Sequence, residues 1–160
     1  TSGWETRALD LTGFEAAYIQ MCGVDSVERE KQKATNLEIR QDYEAATNKL
    51  LEDLDTEAAA IALNAHLEKY PNSPFAPNTH FWLGEIYLLN GQNELARQAF
   101  TIITEQYVSH SKMMDSSFKL GKIYFEMGEL EKARKLIELV AKSSDQVASK
   151  ARSFLVKNFQ

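Results

Sequence analysis

The stretches FWLGEIYLLNGQNELARQAF (residues 81–100) and FKLGKIYFEMGELEKARKLI (residues 118–137) follow one pattern at an offset of 37 residues. Phe81 falls on Phe118, Leu83 on Leu120, Gly84 on Gly121, Tyr87 on Tyr124, Gly91 on Gly128 and Ala96 on Ala133. Further along, Phe100 falls on Ile137 and Ile103 on Val140. A step backwards sets Ala59 on Ala96, Leu63 on Phe100 and Tyr70 on Tyr107. A step forwards sets Phe154 and Leu155 on Ser117 and Phe118. A fixed period of this length marks stacked supersecondary units, which bury a continuous core only against their neighbours.

Each copy reads as two helices. Phe81, Trp82, Leu83, Ile86, Tyr87 and Leu89 form the broad apolar stripe of a helix with one buried face. Gly91 ends that helix in the left-handed conformation that glycine adopts at little cost. Asn93 stands at the cap position of the next helix, which runs through Leu95, Ala96, Ala99, Phe100 and Ile103 to Tyr107. Small residues at Gly84, Gly121, Ala96 and Ala133 suit points where helix backbones approach closely.

Composition agrees with an all-α chain. The 160 residues contain seven glycines and three prolines, and Pro71, Pro74 and Pro77 share one short window. An all-β sandwich needs turn residues every 8–12 positions, which is more than this chain supplies. The net charge of −5 argues against a nucleic-acid partner. That charge is uneven: residues 1–80 carry seven basic and fourteen acidic side chains, residues 81–160 eleven and nine. The single Cys22 allows no internal disulfide and no cysteine-based zinc site, and a cysteine-poor chain fits either the cytoplasm or the periplasm. No apolar run reaches the length of a membrane span, so the chain is expected not to be membrane-spanning. It opens on Thr1 instead of Met, as a mature or excised fragment would.

These residues resemble the tetratricopeptide (TPR) family, whose pattern is W-x2-L-G-x2-Y, then G, then A-x3-F, then P. Leu83-Gly84, Tyr87, Gly91, Ala96 and Phe100 match it, as do Leu120-Gly121, Tyr124, Gly128, Ala133 and Ile137. The first copy departs, with Thr47 and Leu50 at the Gly and Tyr positions, but keeps Ala59, Leu63 and the closing Pro71. The 37-residue spacing and the strings DYEAA (42–46), LEKYPNSPFAPNTHFWLGEIY (67–87) and FKLGKIYFEMGELEKAR (118–134) look like the periplasmic TPR family of the Tol-Pal system, the YbgF/CpoB type. Val108 and Asp145 replace the second and third linker prolines of that family. The resemblance covers residues 42–158. It implies an all-α TPR-like α-solenoid with repeats at about 42–71, 77–108 and 114–145 and a capping helix at 147–158. It also implies a periplasmic adaptor that binds a TolA-like protein during cell division. Two other readings fit the repeats: a scaffold of another envelope assembly (pilus, flagellar or outer-membrane insertion), and the regulatory module of a larger enzyme.

Residues 1–41 fall outside the repeats. Thr12 is placed to cap a helix through Phe14, Ala17, Tyr18 and Met21, closed by Gly23. Asp25 and Glu28 have the spacing of a capping box for a second, polar helix that can run unbroken to Tyr43. Phe14 and Tyr18 would cover the open end of the solenoid or meet a second subunit, so an oligomer is compatible with this segment.

No catalytic pattern emerges. His66, His80 and His110 have no metal-ligand spacing, and there is no nucleophile elbow, P-loop or dinucleotide-binding glycine run. His66 aligns with Ile103 and Val140 and reads as a core-edge histidine; Cys22 beside Met21 reads as a packed thiol. The acids Asp53, Asp55 and Glu57 mark a helix–helix turn, with Asp55 or Thr56 as the following cap. The chain thus reads as a non-catalytic binding protein needing no cofactor or metal. Its first helices would line a concave groove for a peptide or helix. TPR register puts Asn48 and Leu51, then Asn78, Phe81, Glu85 and Leu88, then Asp115, Phe118, Lys122 and Phe125, and finally Arg152 on that groove. Phe81 and Phe118, recurring at one position, are its expected anchors. The carboxylate clamp of chaperone-binding TPR proteins is not matched, because its positions read Glu44, Trp82 and Asp115.

Overall fold

The computed structural model describes residues 3–160, with side chains in the opening helix described from Ser26 onward. Every regular element among the described residues is helical: α1 (Gly3–Leu51), α2 (Thr56–Lys69), α3 (Ala76–Leu89), α4 (Asn93–Gln106), α5 (Met113–Glu126), α6 (Leu130–Ala141) and α7 (Ala148–Asn158). The chain divides into two compact units, residues 1–41 and 42–160. In the second unit, α3 pairs with α4 and α5 with α6, and α4 leans on α5 as α6 does on α7. This is an α-solenoid of helical hairpins.

Residues 3–41 are one uninterrupted helical stretch of α1. The expected break at Gly23 and the new start at Asp25 are therefore absent. One glycine inside a helix costs only about 1 kcal/mol, and the strong helix formers that follow offset it. Ser26 Oγ donates back to the Gly23 carbonyl at 2.8 Å instead of opening a new helix. Surface pairs such as Lys33–Glu30, at 2.9 Å, add support along the polar turn sequence. The expected packing of Phe14, Tyr18 and Cys22 lies outside the described side chains.

The hairpins repeat in detail. Gly91 and Gly128 take φ of +71° and +81°. Around Gly91, its own N–H reaches the Leu88 carbonyl at 3.1 Å and the Gln92 N–H reaches Tyr87 at 2.8 Å. Gly128 and Glu129 make the same two bonds to Phe125 and Tyr124, at 3.1 and 2.9 Å. This is the Schellman closure, which satisfies the last helix carbonyls and needs a left-handed residue. The first hairpin also bends through a left-handed residue at the equivalent position, but there it is Leu54, with φ +55°. Asn93 does not cap α4. The helix starts there after Gln92, with no side-chain cap, and Asn93 Nδ2 instead donates to Glu126 Oε2 at 3.2 Å in the next repeat. Asp55 does cap α2, accepting from the Ala58 N–H at 2.9 Å.

The linkers recur as well. Ser73 and Ala76 N–H groups bond to the carbonyls of Tyr70 and Ser73, and His110 and Met113 repeat this 37 residues later, all four at 3.0 Å. The period then shortens. Helix α6 has 12 residues where α2 and α4 have 14, so α7 begins 35 residues after α5. The 37-residue alignment of Phe154 with Ser117 is therefore displaced by two positions.

Three apolar clusters fill the hairpin interfaces. One joins Ala46 to Leu63, Leu83 and Ile86. The second holds Phe81, Phe100, Ile103, Leu120 and Ile123, and the third Phe118, Ile137, Val140, Val147 and Ala151. His66 is fully buried in the first hairpin, as its register suggests. Its Nδ1 lies 2.7 Å from Asp42 Oδ2 and its Nε2 2.9 Å from Ser73 Oγ. Ser73 Oγ also accepts from the Phe75 N–H at 3.0 Å, so its proton is free to point at His66 Nε2. The triplet satisfies the buried side chains of His66 and Ser73 and ties α1, α2 and the α2–α3 linker together.

Candidate binding groove

The first helices of the hairpins meet on one face, and the shortened last period decides what that face presents. Adding 35 to Asp115, Phe118 and Lys122 gives Lys150, Ser153 and Lys157. Those three residues line a groove with Phe118, Lys122, Ser149 and Phe154, of about 460 Å³. Its floor is aromatic: Phe118 meets Phe154 edge-on at 6.1 Å, and Phe154 is in turn braced by Phe125 at 5.3 Å. Three lysines and no carboxylate stand among the seven lining residues. Lys122 Nζ lies over the Phe118 ring at 4.9 Å. Burial lowers the Lys122 pKa from the ordinary lysine value, and the charges of Lys119 and Lys150 push it the same way, against Glu85 and Glu126. An anion arriving here would relieve that cost.

The other expected groove residues divide. Glu85 pairs with Lys119 of the next repeat at 2.8 Å, the ammonium approaching outside hydrogen-bond angles. Asp115 lines a separate polar hollow of about 630 Å³ with Ser111, Asp145 and Lys150. Phe125 packs against Phe154 and Phe159 and does not itself line the groove. Asn78 and Leu88 are half-buried, Leu88 against the second cluster, while Asn48 and Leu51 are exposed near the end of α1. Phe81 and Phe118 are each only 8% exposed. Phe81 packs edge-on against Phe100 at 5.8 Å, beneath Lys112 Nζ at 4.7 Å. The two rings serve the core first and offer a partner little more than an edge.

Arg152 points elsewhere. Its guanidinium donates to the Ala141 carbonyl at 2.9 Å, closing the end of α6. The two-residue displacement explains this, since Lys150 and not Arg152 continues the Asn78–Asp115 position. The sequence reading missed Lys150, Ser153, Phe154 and Lys157. Their i, i+3, i+4, i+7 spacing on α7 was the available signal.

The described residues contain no cluster of three or more histidine, cysteine or acidic groups able to hold a metal. No helix among them is long and apolar enough to cross a membrane. The groove between α5 and α7 sets an apolar floor beside a cationic rim.

Comparison with known proteins places the repeats. The family model described as tetratricopeptide repeat matches residues 79–109 and 115–144, which are the α3–α4 and α5–α6 hairpins. Cell division coordinator CpoB of Pseudomonas putida strain KT2440 is 47% identical over 49 residues, covering 31% of this chain and 18% of that protein. A second Pseudomonas putida sequence of the same name shows the same 47% identity over the same length. The chain thus spans less than a fifth of the curated relatives it matches. With the family match falling on two hairpins whose turns, linkers and glycines repeat, the chain carries two tetratricopeptide repeats within an all-α fold and is similar in part to the CpoB-type cell division coordinator.

Proposed function

We propose that this chain is a non-catalytic adaptor that holds a peptide or helix of a partner protein on the face built by the end of α1 and by α3, α5 and α7, within the periplasmic Tol-Pal system during cell division. The lysine-rimmed aromatic groove between α5 and α7 carries this reading. It combines an apolar floor with oriented charges, as peptide-binding surfaces do. The similarity to a cell division coordinator supplies the process, and the resemblance to the Tol-Pal TPR family supplies the compartment and a TolA-like partner. Asn48, Leu51, Asn78, Phe81, Glu85, Leu88, Asp115, Phe118, Lys122 and Phe125 stay on the proposed surface, centred on Phe118 and Lys122. Arg152 gives way to Lys150 and Lys157.

The test is capture of envelope proteins on the immobilised chain, with a Lys122→Glu variant beside it. A TolA-like protein should be retained by the natural chain and lost from the variant, with the far-UV circular dichroism of both the same. Retention of pilus, flagellar or outer-membrane-insertion proteins instead would move the adaptor to another assembly. Equal retention by the variant would remove the α5–α7 groove from the reading.

A further inference from the structure

The hairpin turns carry a contrast that packing does not explain. The second and third turns use Gly91 and Gly128 for their left-handed residue, with nothing within 4 Å of an added Cβ. The first turn uses Leu54 in the same conformation, at φ +55°. A branched side chain there is strained, and glycine would remove the strain. Leu54 returns nothing to the core, being 79% exposed, the most exposed of the large apolar side chains among the described residues. Glu52, Asp53, Asp55 and Glu57 surround it, all exposed. An outward leucine among four carboxylates is the chemical complement of the groove at the other end of the repeats. That groove has the Phe118–Phe154 floor and the rim of Lys122, Lys150 and Lys157, none of them ion-paired among the described residues.

We propose that the occupant of this groove is a second copy of the chain. The Leu54 turn of one molecule seats its side chain on the Phe118 and Phe154 rings of the next, with Glu52, Asp53, Asp55 and Glu57 facing the three lysines. The contact is heterologous, turn to groove, so each molecule keeps one free turn and one free groove and association extends with concentration. It is small and charge-assisted, hence weak and sensitive to salt. This inference shares its groove with the proposed adaptor function without requiring a foreign partner. Capture of a TolA-like protein and self-association are separate measurements, so either can fail alone.

Sedimentation velocity of the full 160-residue chain, from tens to hundreds of micromolar, tests it at about 20 mM and about 300 mM NaCl. The weight-average sedimentation coefficient should rise with concentration in low salt and flatten in high salt. Lys150→Glu/Lys157→Glu and Glu52→Lys/Asp53→Lys change exposed side chains, and each should weaken association by about tenfold or more. Mixing the two variants should restore it, because each supplies the charge the other has reversed. Leu54→Gly should also abolish association while leaving the thermal midpoint unchanged or higher, an effect that a purely structural leucine would not give. A natural chain that stays monomeric in low salt overturns the proposal. So does association that survives both charge reversals, or a groove that binds a foreign acidic peptide while self-association is absent.

Discussion

At the scale of single residues, the repeats depend on positions where a side chain has no room. A Cβ on Gly84 would lie 2.5 Å from Cζ of Phe100, and one on Gly121 would lie 2.5 Å from Cγ1 of Ile137. Phe100 and Ile137 are fully buried, so neither can swing aside cheaply. Gly84→Ala and Gly121→Ala should each cost about 1–3 kcal/mol in chemical denaturation, the usual range for overpacking. Gly91→Ala meets open space, so its cost should come from the left-handed backbone alone, about 1 kcal/mol. The same steric logic turns Phe81→Ala and Phe118→Ala into stability mutations of about 3–5 kcal/mol, which makes them poor probes of a binding face. A second residue-scale prediction concerns Glu94. Arg97 holds its carboxylate through bonds of 2.6 and 2.9 Å, with help from Gln98, and lowers its pKa to about 2. A depressed carboxylate favours the folded state above its ordinary value, and that contribution disappears as the pH falls from about 4.5 towards about 2. Carboxyl carbon NMR should show Glu94 titrating far below the ordinary glutamate value of 4.5, and Arg97→Ala should raise it back towards that value.

At the scale of helices, the sequence pattern was clear wherever the period held. The 37-residue offset located α3 through α6, their glycine turns and the pairing of Phe100 with Ile137, because tight packing forces equivalent residues into equivalent places. It misled at α7. There the shortening lies in α6, in a helix whose apolar positions Ala133, Ile137 and Val140 still fit the longer register, so nothing before Val147 announces it. The same blindness applied to α1, where local caps at Thr12 and Asp25 suggested breaks that strong helix formers override. Side-chain direction was the other limit. Spacing put Phe81 and Phe118 on the groove face, but only packing shows that their rings turn into the clusters. The register shift makes a direct prediction. Arg152→Glu should leave partner capture unchanged and cost about 1 kcal/mol or less, the worth of its bond to the Ala141 carbonyl. Lys150→Glu, two residues away, should weaken capture. Competition binding with the captured partner separates the two, and an equal loss from both would restore Arg152 to the groove.

At the scale of the repeat unit, stability is shared between neighbours rather than owned by any hairpin. Each apolar cluster reaches beyond a single hairpin: Phe81 and Leu83 of α3 belong to different clusters, as do Phe118 and Leu120 of α5. Such one-dimensional coupling means that removing an end element exposes the cluster beneath it and weakens the next. The third cluster is closed on its outer side by Val147 and by Ala151 of α7, with Phe154, Leu155 and Phe159 packed against it. A chain ending at Lys142 would uncover Phe118, Ile137 and Val140, which are 8%, 0% and 0% exposed in the intact fold. Uncovering large apolar side chains costs about 1.5–3 kcal/mol each when complete, so even partial exposure of three should lower stability by several kcal/mol. The truncated chain should therefore melt at a distinctly lower temperature, and the loss should be graded along the repeats. Hydrogen exchange provides the gradient: amides of α5 and α6 should lose most protection, those of α3 and α4 less, and those of α2 least. Uniform loss across α2 to α6 would mean that the repeats unfold as one cooperative block, with α7 serving the whole array rather than its last hairpin.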